Sequence, residues 1–270
     1  PFDLLSADLQ TWRPLLQTHR VRLTPSLRFV QRGRKGETPE ATGRLLAVAD
    51  PVYKKEVSVA GLDTIDLEEA TRSSRFLEYF APLPETRDEA QIIASKFKGV
   101  AELLLGAQAT ESAVKQQKLL SFGYLHFATH GILGGEVPGI GESALVLGQE
   151  PGEDGFLTAS EVENLQLDAR LAVLSACNTG SGEYVTGEGV MGLSRAFLLS
   201  GSRAVVMYLW PVASDATVRL MVSFYDRLAS GQTPHAALRG AKIAILEEAE
   251  RNGSEERHPF YWAPFVLFGQ

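Results

Sequence analysis

The chain has 270 residues, 44% apolar and 22% charged, a globular balance that excludes a disordered or fibrous protein. Its 26 Lys and Arg against 33 Asp and Glu leave a net charge of −7, which argues against a globally basic nucleic-acid binder. One cysteine, Cys177, excludes a disulfide framework and a Cys-rich zinc site, and no apolar run reaches the roughly 20 residues of a membrane span.

The first charged stretch is Gln31–Arg44 (QRGRKGETPEATGR), glycine-rich and poor in apolar residues, which reads as a surface loop. Leu45–Ala49 (LLAVA) reads as a buried strand stopped by Asp50-Pro51. Helical spacing runs through Thr86–Phe97, and Ala101–Leu105 is apolar again. Thr110 then offers an N-cap for a helix over Thr110–Leu120. Tyr124–Ala128 (YLHFA) is strand-like, and a glycine-rich loop over Pro138–Gly155 surrounds the short apolar run Ala144–Leu147. Leu171–Ser175 reads as a strand, Gly189–Leu199 as a helix closed by Gly201, and Ala204–Trp210 as a strand. Helices follow over Asp215–Ala229, capped by Ser214, and Pro234–Arg251, before a last strand at Phe265–Phe268. Strands apolar on both faces and separated by helices call for a mostly parallel sheet covered on each side, hence an α/β fold of three layers, α/β/α.

In such folds, reactive groups lie beyond the carboxyl ends of the strands. His130 follows YLHFA, and Cys177 follows LAVLS. An imidazole can take the proton of a thiol whose ordinary pKa is about 8.5, and the thiolate attacks acyl carbon. His130 and Cys177 thus have the types and the expected locations of a Cys–His hydrolase dyad. Gly131 leaves its backbone N–H unobstructed beside the histidine, so the N–H groups of Gly131 and Cys177 can serve a developing oxyanion. Gly180 and Gly182 permit a sharp turn after the cysteine, and His126 reads as a buried strand residue with a hydrogen-bond partner. No G-x-S-x-G elbow, Walker A loop or dinucleotide fingerprint is present, and the five histidines have no metal-ligand spacing.

Taken together, YLHFATHG (124–131), DGFLTASEV (154–162), LAVLSACNTG (171–180), GEGVMGLSRAFLLSGSRAVVMYLWPV (187–212) and PFYWAPFVLFG (259–269) strongly resemble the CHAT family. These are caspase-like cysteine peptidases related to separase. The resemblance is dense from about Leu83 to Gln270 and weaker over 1–82, which makes 1–270 one peptidase domain of caspase-like architecture. It implies that His130 is the general base and acid, Cys177 the nucleophile of a specific protein substrate, and Gly131 and Cys177 the oxyanion donors. No cofactor is called for. A pocket carboxylate for a basic P1 side chain falls best on Asp215, with Asp154 a weaker alternative, and Trp210 on a pocket wall.

Family members usually carry the domain after helical repeats or a sensor region. Pro1 in place of Met fits a piece of such a protein, gated by that region or by a partner protein in bacterial signalling or defence. The expected setting is the cytoplasm, with no direct nucleic-acid or membrane contact. The competing reading is a catalytically silent interaction module of the same fold.

Overall fold

The computed structural model describes residues 14–19, 21, 23, 43–53, 80–97, 100–175, 188–210 and 214–269, with backbone alone at 188–191 and 214–215. Most of the Gln31–Arg44 segment, and Cys177, Gly180 and Gly182, lie outside the described residues.

Six strands form the central sheet: β1 (Leu45–Ala49), β2 (Ala101–Leu105), β3 (Tyr124–Ala128), β7 (Leu171–Leu174), β8 (Ala204–Tyr208) and β9 (Phe265–Gly269). Their order is β2-β1-β3-β7-β8-β9. The first five run parallel, and β9 closes the edge antiparallel to β8. Every residue of β1, β3, β7 and β8 is buried, as a sheet covered on both faces requires.

The helices are α1 (Leu15–Thr18), α2 (Pro84–Ser95), α3 (Glu111–Lys115), α4 (Ala159–Asn164), α5 (Glu188–Ser200), α6 (Ser214–Ala229) and α7 (Pro234–Asn252). Alternate strand residues sort them into two layers. Leu45, Ala47, Leu171, Val173 and Val206 pack with Ala90 and Ile93 of α2, Leu220 and Phe224 of α6, and Leu238 and Ala241 of α7. Leu46, Val48, Leu125, Phe127, Ala172 and Val205 pack with Val114 of α3, Val162 of α4, and Ala196 and Phe197 of α5. The architecture is therefore the three-layer α/β/α sandwich that the alternation of periods called for.

Local chemistry sets the helix ends. Pro84 stands in the first turn of α2, where its missing N–H costs nothing. The hydroxyl of Thr158 accepts from the Glu161 N–H, and the Glu161 carboxylate returns the bond to the Thr158 N–H, a reciprocal cap on α4. Gly201 ends α5 at φ +125°, and a Cβ there would run into the Leu167 carbonyl oxygen.

Three expectations change. The helix expected over Thr110–Leu120 stops at Lys115, and a 3-10 turn follows at Leu119–Ser121. Between Val114 and Leu119 the chain is polar, so a further turn of helix has no apolar face to bury. Ser214 is the first residue of α6 rather than its cap. The glycine-rich loop over Pro138–Gly155 carries a strand at its apolar run: β4 (His130–Ile132), β5 (Ala144–Val146) and β6 (Phe156–Thr158) form a small antiparallel sheet. Its inner side packs Ile132, Val137, Ala144, Val146 and Phe156 against Tyr53 and Phe80.

Candidate active site

Strand order decides what meets at the carboxyl edge. From β1 the chain crosses to β2 on one side and returns to β3 on the other, so the direction of winding reverses between β1 and β3. At that reversal the continuations of the two strands converge. Asp50–Tyr53 leaves β1, and Thr129–His130 leaves β3 into β4. Asp50 sits at φ +50°, and its carboxylate binds the Nε and NH2 of Arg87 on α2 at 2.8 Å each. The Asp50 N–H donates to the Thr86 hydroxyl at 2.9 Å. A turn pinned this way carries Tyr53 back over the end of β3, where its hydroxyl lies 3.0 Å from that of Thr129.

His130 is 4% exposed and lies between two rings, with centroids 5.4 Å from Tyr53 and 5.3 Å from Phe80. Its Nε2 is 2.7 Å from the carbonyl oxygen of Ala81, just before α2. A carbonyl can only accept, so Nε2 carries the hydrogen and Nδ1 is the basic nitrogen of the neutral ring. Burial lowers the pKa of His130, opposed by the Ala81 carbonyl and by Glu85. The ring is therefore unprotonated at neutral pH, a base held in one tautomer and one orientation. Burial also pushes the Tyr53 phenol up to about 12, against the pull of Thr129 and the His130 backbone N–H, so Tyr53 keeps its proton.

Gly131 pairs with Leu145 across β4 and β5. Cys177 lies outside the described residues, two positions past Ser175, the last described residue after β7. Because β3 and β7 are parallel neighbours, with His126 opposite Val173, Ser175 and His130 leave the same edge of the sheet.

His126 is fully buried, as expected, and belongs to a larger polar network. Its Nδ1 lies 3.1 Å from the Tyr225 hydroxyl, and its Nε2 lies 3.2 Å from Oε1 of Glu89, outside hydrogen-bond geometry. The same Oε1 accepts from the Ser175 hydroxyl at 3.1 Å, and Ser175 Oγ lies 2.7 Å from the Tyr208 hydroxyl. Glu89 itself is 3% exposed.

Trp210 lies two residues past β8 at the same edge. It stacks on Phe260 at 6.5 Å and donates from Nε1 to the Phe260 carbonyl. Asp215 is the second residue of α6, and its side chain lies outside the described residues. Asp154 is spent elsewhere. Burial raises its pKa, and it stands with Glu111, Glu161 and Lys115. There the Lys115 ammonium lies 2.7, 2.8 and 2.7 Å from Glu111, Glu153 and Glu161. Among the described residues those three acidic groups alone are clustered closely enough to hold a metal ion, and the Lys115 ammonium already stands among them.

The residues that reasoning from sequence missed are Ala81, Tyr53, Phe80 and Glu89. Ala81 acts through its backbone, which carries no side-chain signal. Only Asp50-Pro51, marking a turn after the first strand, could have pointed toward Tyr53.

The family model described as CHAT domain matches residues 1–270. The chain is 29% identical over 252 residues to human tetratricopeptide repeat protein 28, covering 81% of this chain and 10% of that protein. It therefore spans about a tenth of that relative's length. Among solved structures it is similar to the Arg-specific cysteine proteinase gingipain R, at 10% identity and TM-score 0.46, covering 86% of this chain and 47% of that one. It is also similar to a chain of the Saccharomyces cerevisiae separase–securin complex, at 13% identity and TM-score 0.48, covering 93% of this chain and 14% of that one.

Proposed function

The chain belongs to the CHAT domain family, and from that premise we propose that it is a cysteine endopeptidase whose dyad is His130 and Cys177. The observation that carries the reading is the bond from His130 Nε2 to the Ala81 carbonyl at 2.7 Å. A base needs a third group to fix its tautomer, and here a backbone carbonyl fills the place that a carboxylate takes in a Ser-His-Asp triad.

In this reading Nδ1 takes the Cys177 thiol proton, and the thiolate attacks the carbonyl carbon of the scissile peptide. The tetrahedral oxyanion is received by the backbone N–H groups of Gly131 and Cys177, each such donor contributing about 3 kcal/mol. The His130 imidazolium returns its proton to the leaving amine as the C–N bond breaks. Water, deprotonated by the same ring, then hydrolyses the thioester. The lowered pKa of His130 suits both steps, because the ring is unprotonated at neutral pH and, once charged, gives up its proton more readily than an ordinary imidazolium.

Trp210, beyond β8 beside β7, is proposed as a wall of the substrate cleft, and Asp215 as the carboxylate facing a basic P1 side chain. The substrate is a protein. Gating by repeats or by a partner fits a match to one-tenth of a protein named for its tetratricopeptide repeats.

The test is a peptide library varied at P1, incubated with the parent and with Cys177→Ala. Cleavage by the parent and none by the variant supports the dyad; equal cleavage by both removes Cys177 from the mechanism. Cleavage after Arg or Lys that is lost in Asp215→Asn supports the pocket. The relative's name denotes repeats rather than catalysis, which favours a second reading, a silent interaction module. A peptide electrophile that labels Cys177 in the parent but not in His130→Ala rejects it.

A further inference from the structure

The network around Glu89 has a geometry that the dyad alone does not require. Ser175 has one hydroxyl proton and gives it to Glu89, so the 2.7 Å contact with Tyr208 must be donated by Tyr208. With the His126 hydrogen on Nε2, facing Glu89, its Nδ1 accepts from Tyr225. The Tyr225 phenol is raised well above its ordinary pKa by burial and by the Glu89 charge, so it keeps the proton that this direction needs. The arm from Tyr208 through Ser175 therefore ends in a hydrogen bond to Oε1 of Glu89, and the arm from Tyr225 through His126 ends 3.2 Å from the same oxygen, an electrostatic contact rather than a hydrogen bond.

Those arms belong to the two strands that matter. His126 is on β3, four residues before His130; Ser175 directly follows β7, two residues before Cys177. The described ladder between the strands stops at Phe127 and Leu174, so Ser175 is the first residue beyond the paired part of β7. Glu89 is on α2, the helix that begins just after Ala81, whose carbonyl holds His130. The segment leading into α2 thus holds the base through Ala81, and α2 places one buried carboxylate against both His126, in the middle of β3, and Ser175, just past β7.

We propose that Glu89 is a positioning residue for the dyad, holding β3 at His126 against the chain leaving β7 at Ser175 and so fixing the separation of His130 and Cys177. The inference rests on the peptidase reading and is tested apart from it. The chain has a single cysteine, so alkylation by iodoacetamide reports Cys177 alone. An unassisted thiol of pKa about 8.5 reacts on the order of 75-fold more slowly at pH 6.5 than at pH 9. Assistance by His130 compresses that ratio, whereas at pH 9 the thiol is ionised in any case.

The parent is expected to show a ratio below about 10, and Glu89→Gln a ratio at least fivefold larger, with rates at pH 9 within twofold of each other. Loss of structure would move both rates, so the split between the two pH values separates positioning from folding. A compressed ratio in both proteins overturns the positioning role and leaves the dyad standing. An uncompressed ratio in the parent overturns both. If Glu89→Gln gives no cooperative melt, Ser175→Ala, which cuts only the β7 arm, carries the same comparison: an increase of at least threefold supports the proposal, and an unchanged ratio overturns it.

Discussion

Lys115 is bound by carboxylates from three separate segments, Glu111 one turn back on α3, Glu153 in the β5–β6 connection and Glu161 on α4. Burial lowers an ammonium's pKa, but the hydrogen bonds to Glu111, Glu153 and Glu161 outweigh it and raise that of Lys115, so Lys115 is charged at neutral pH. Lys115→Met leaves the acids facing one another and is expected to cost about 3 kcal/mol, read as a lower urea midpoint. Burial pushes Glu111 up to about 8 from 4.5, which fixes the sign of a pH effect. The folded state binds the Glu111 proton more tightly than the unfolded chain, so this contribution is complete below pH 4.5 and is lost as pH rises through about 8. Glu161 is shifted down and acts in the opposite sense, so the comparison is made between parent and Glu111→Gln. The parent's melting temperature should fall more steeply from pH 5 to pH 8.5; equal slopes would remove Glu111 from the effect. Of this cluster only the Glu111–Lys115 spacing could be read from sequence. The remaining pairings join residues brought together by the small sheet, whose three-residue strands are too short to show a period. The positions of His130 and His126 were legible for the opposite reason, since His126 lies within a five-residue strand and His130 two residues past its end.

Among the elements, α5 shows how a chain stop is enforced. Gly201 takes φ +125°, and its missing Cβ makes room for the Leu167 carbonyl. The Leu167 N–H in turn binds the Ser200 carbonyl at 3.0 Å, which locks the connection after α4 to the end of α5. Gly201→Ala therefore meets both backbone strain and a collision with backbone, and is expected to lower stability by at least about 2 kcal/mol in denaturant melts. Gly231, at φ +89° with nothing near its absent Cβ, is the control, where Ala meets the strain alone. Equal losses at both sites would show that the Leu167 contact contributes nothing. Sequence marked Gly201 correctly as a helix end, because the φ that suits glycine is a local property. The early end of α3 at Lys115 was not legible in that way. It depends on where Leu119 and Phe122 must turn to reach the layer built on Leu46 and Val48.

Across the whole molecule, the sheet order sets β3 and β7 apart from the strands at the edges. β3 and β7 lie at the centre, with β1 and β8 as their outer partners and both faces covered, whereas β2 is an edge strand with one buried residue. The parallel, doubly covered sheet was legible because apolar runs and helical periods alternate along the chain. The antiparallel closure by β9 was not, since Phe265–Phe268 reads the same in either direction. Central strands open only with the whole fold, while an edge opens locally. Amide hydrogen exchange should therefore be slowest at Leu125–Phe127 and Ala172–Leu174 and markedly faster at Ala101–Leu103. If the centre exchanges as fast as β2, the sheet is not a rigid platform, and a carboxylate bridging β3 and β7 could not hold a fixed distance between their ends. If the centre alone is protected to the limit of global unfolding, any opening around His130 must come from elements beyond the strand ends. In that case the segment from Phe80 to Pro82, whose ring and carbonyl touch His130 from outside the sheet, is where loosening by a partner would act on the base without disturbing the core.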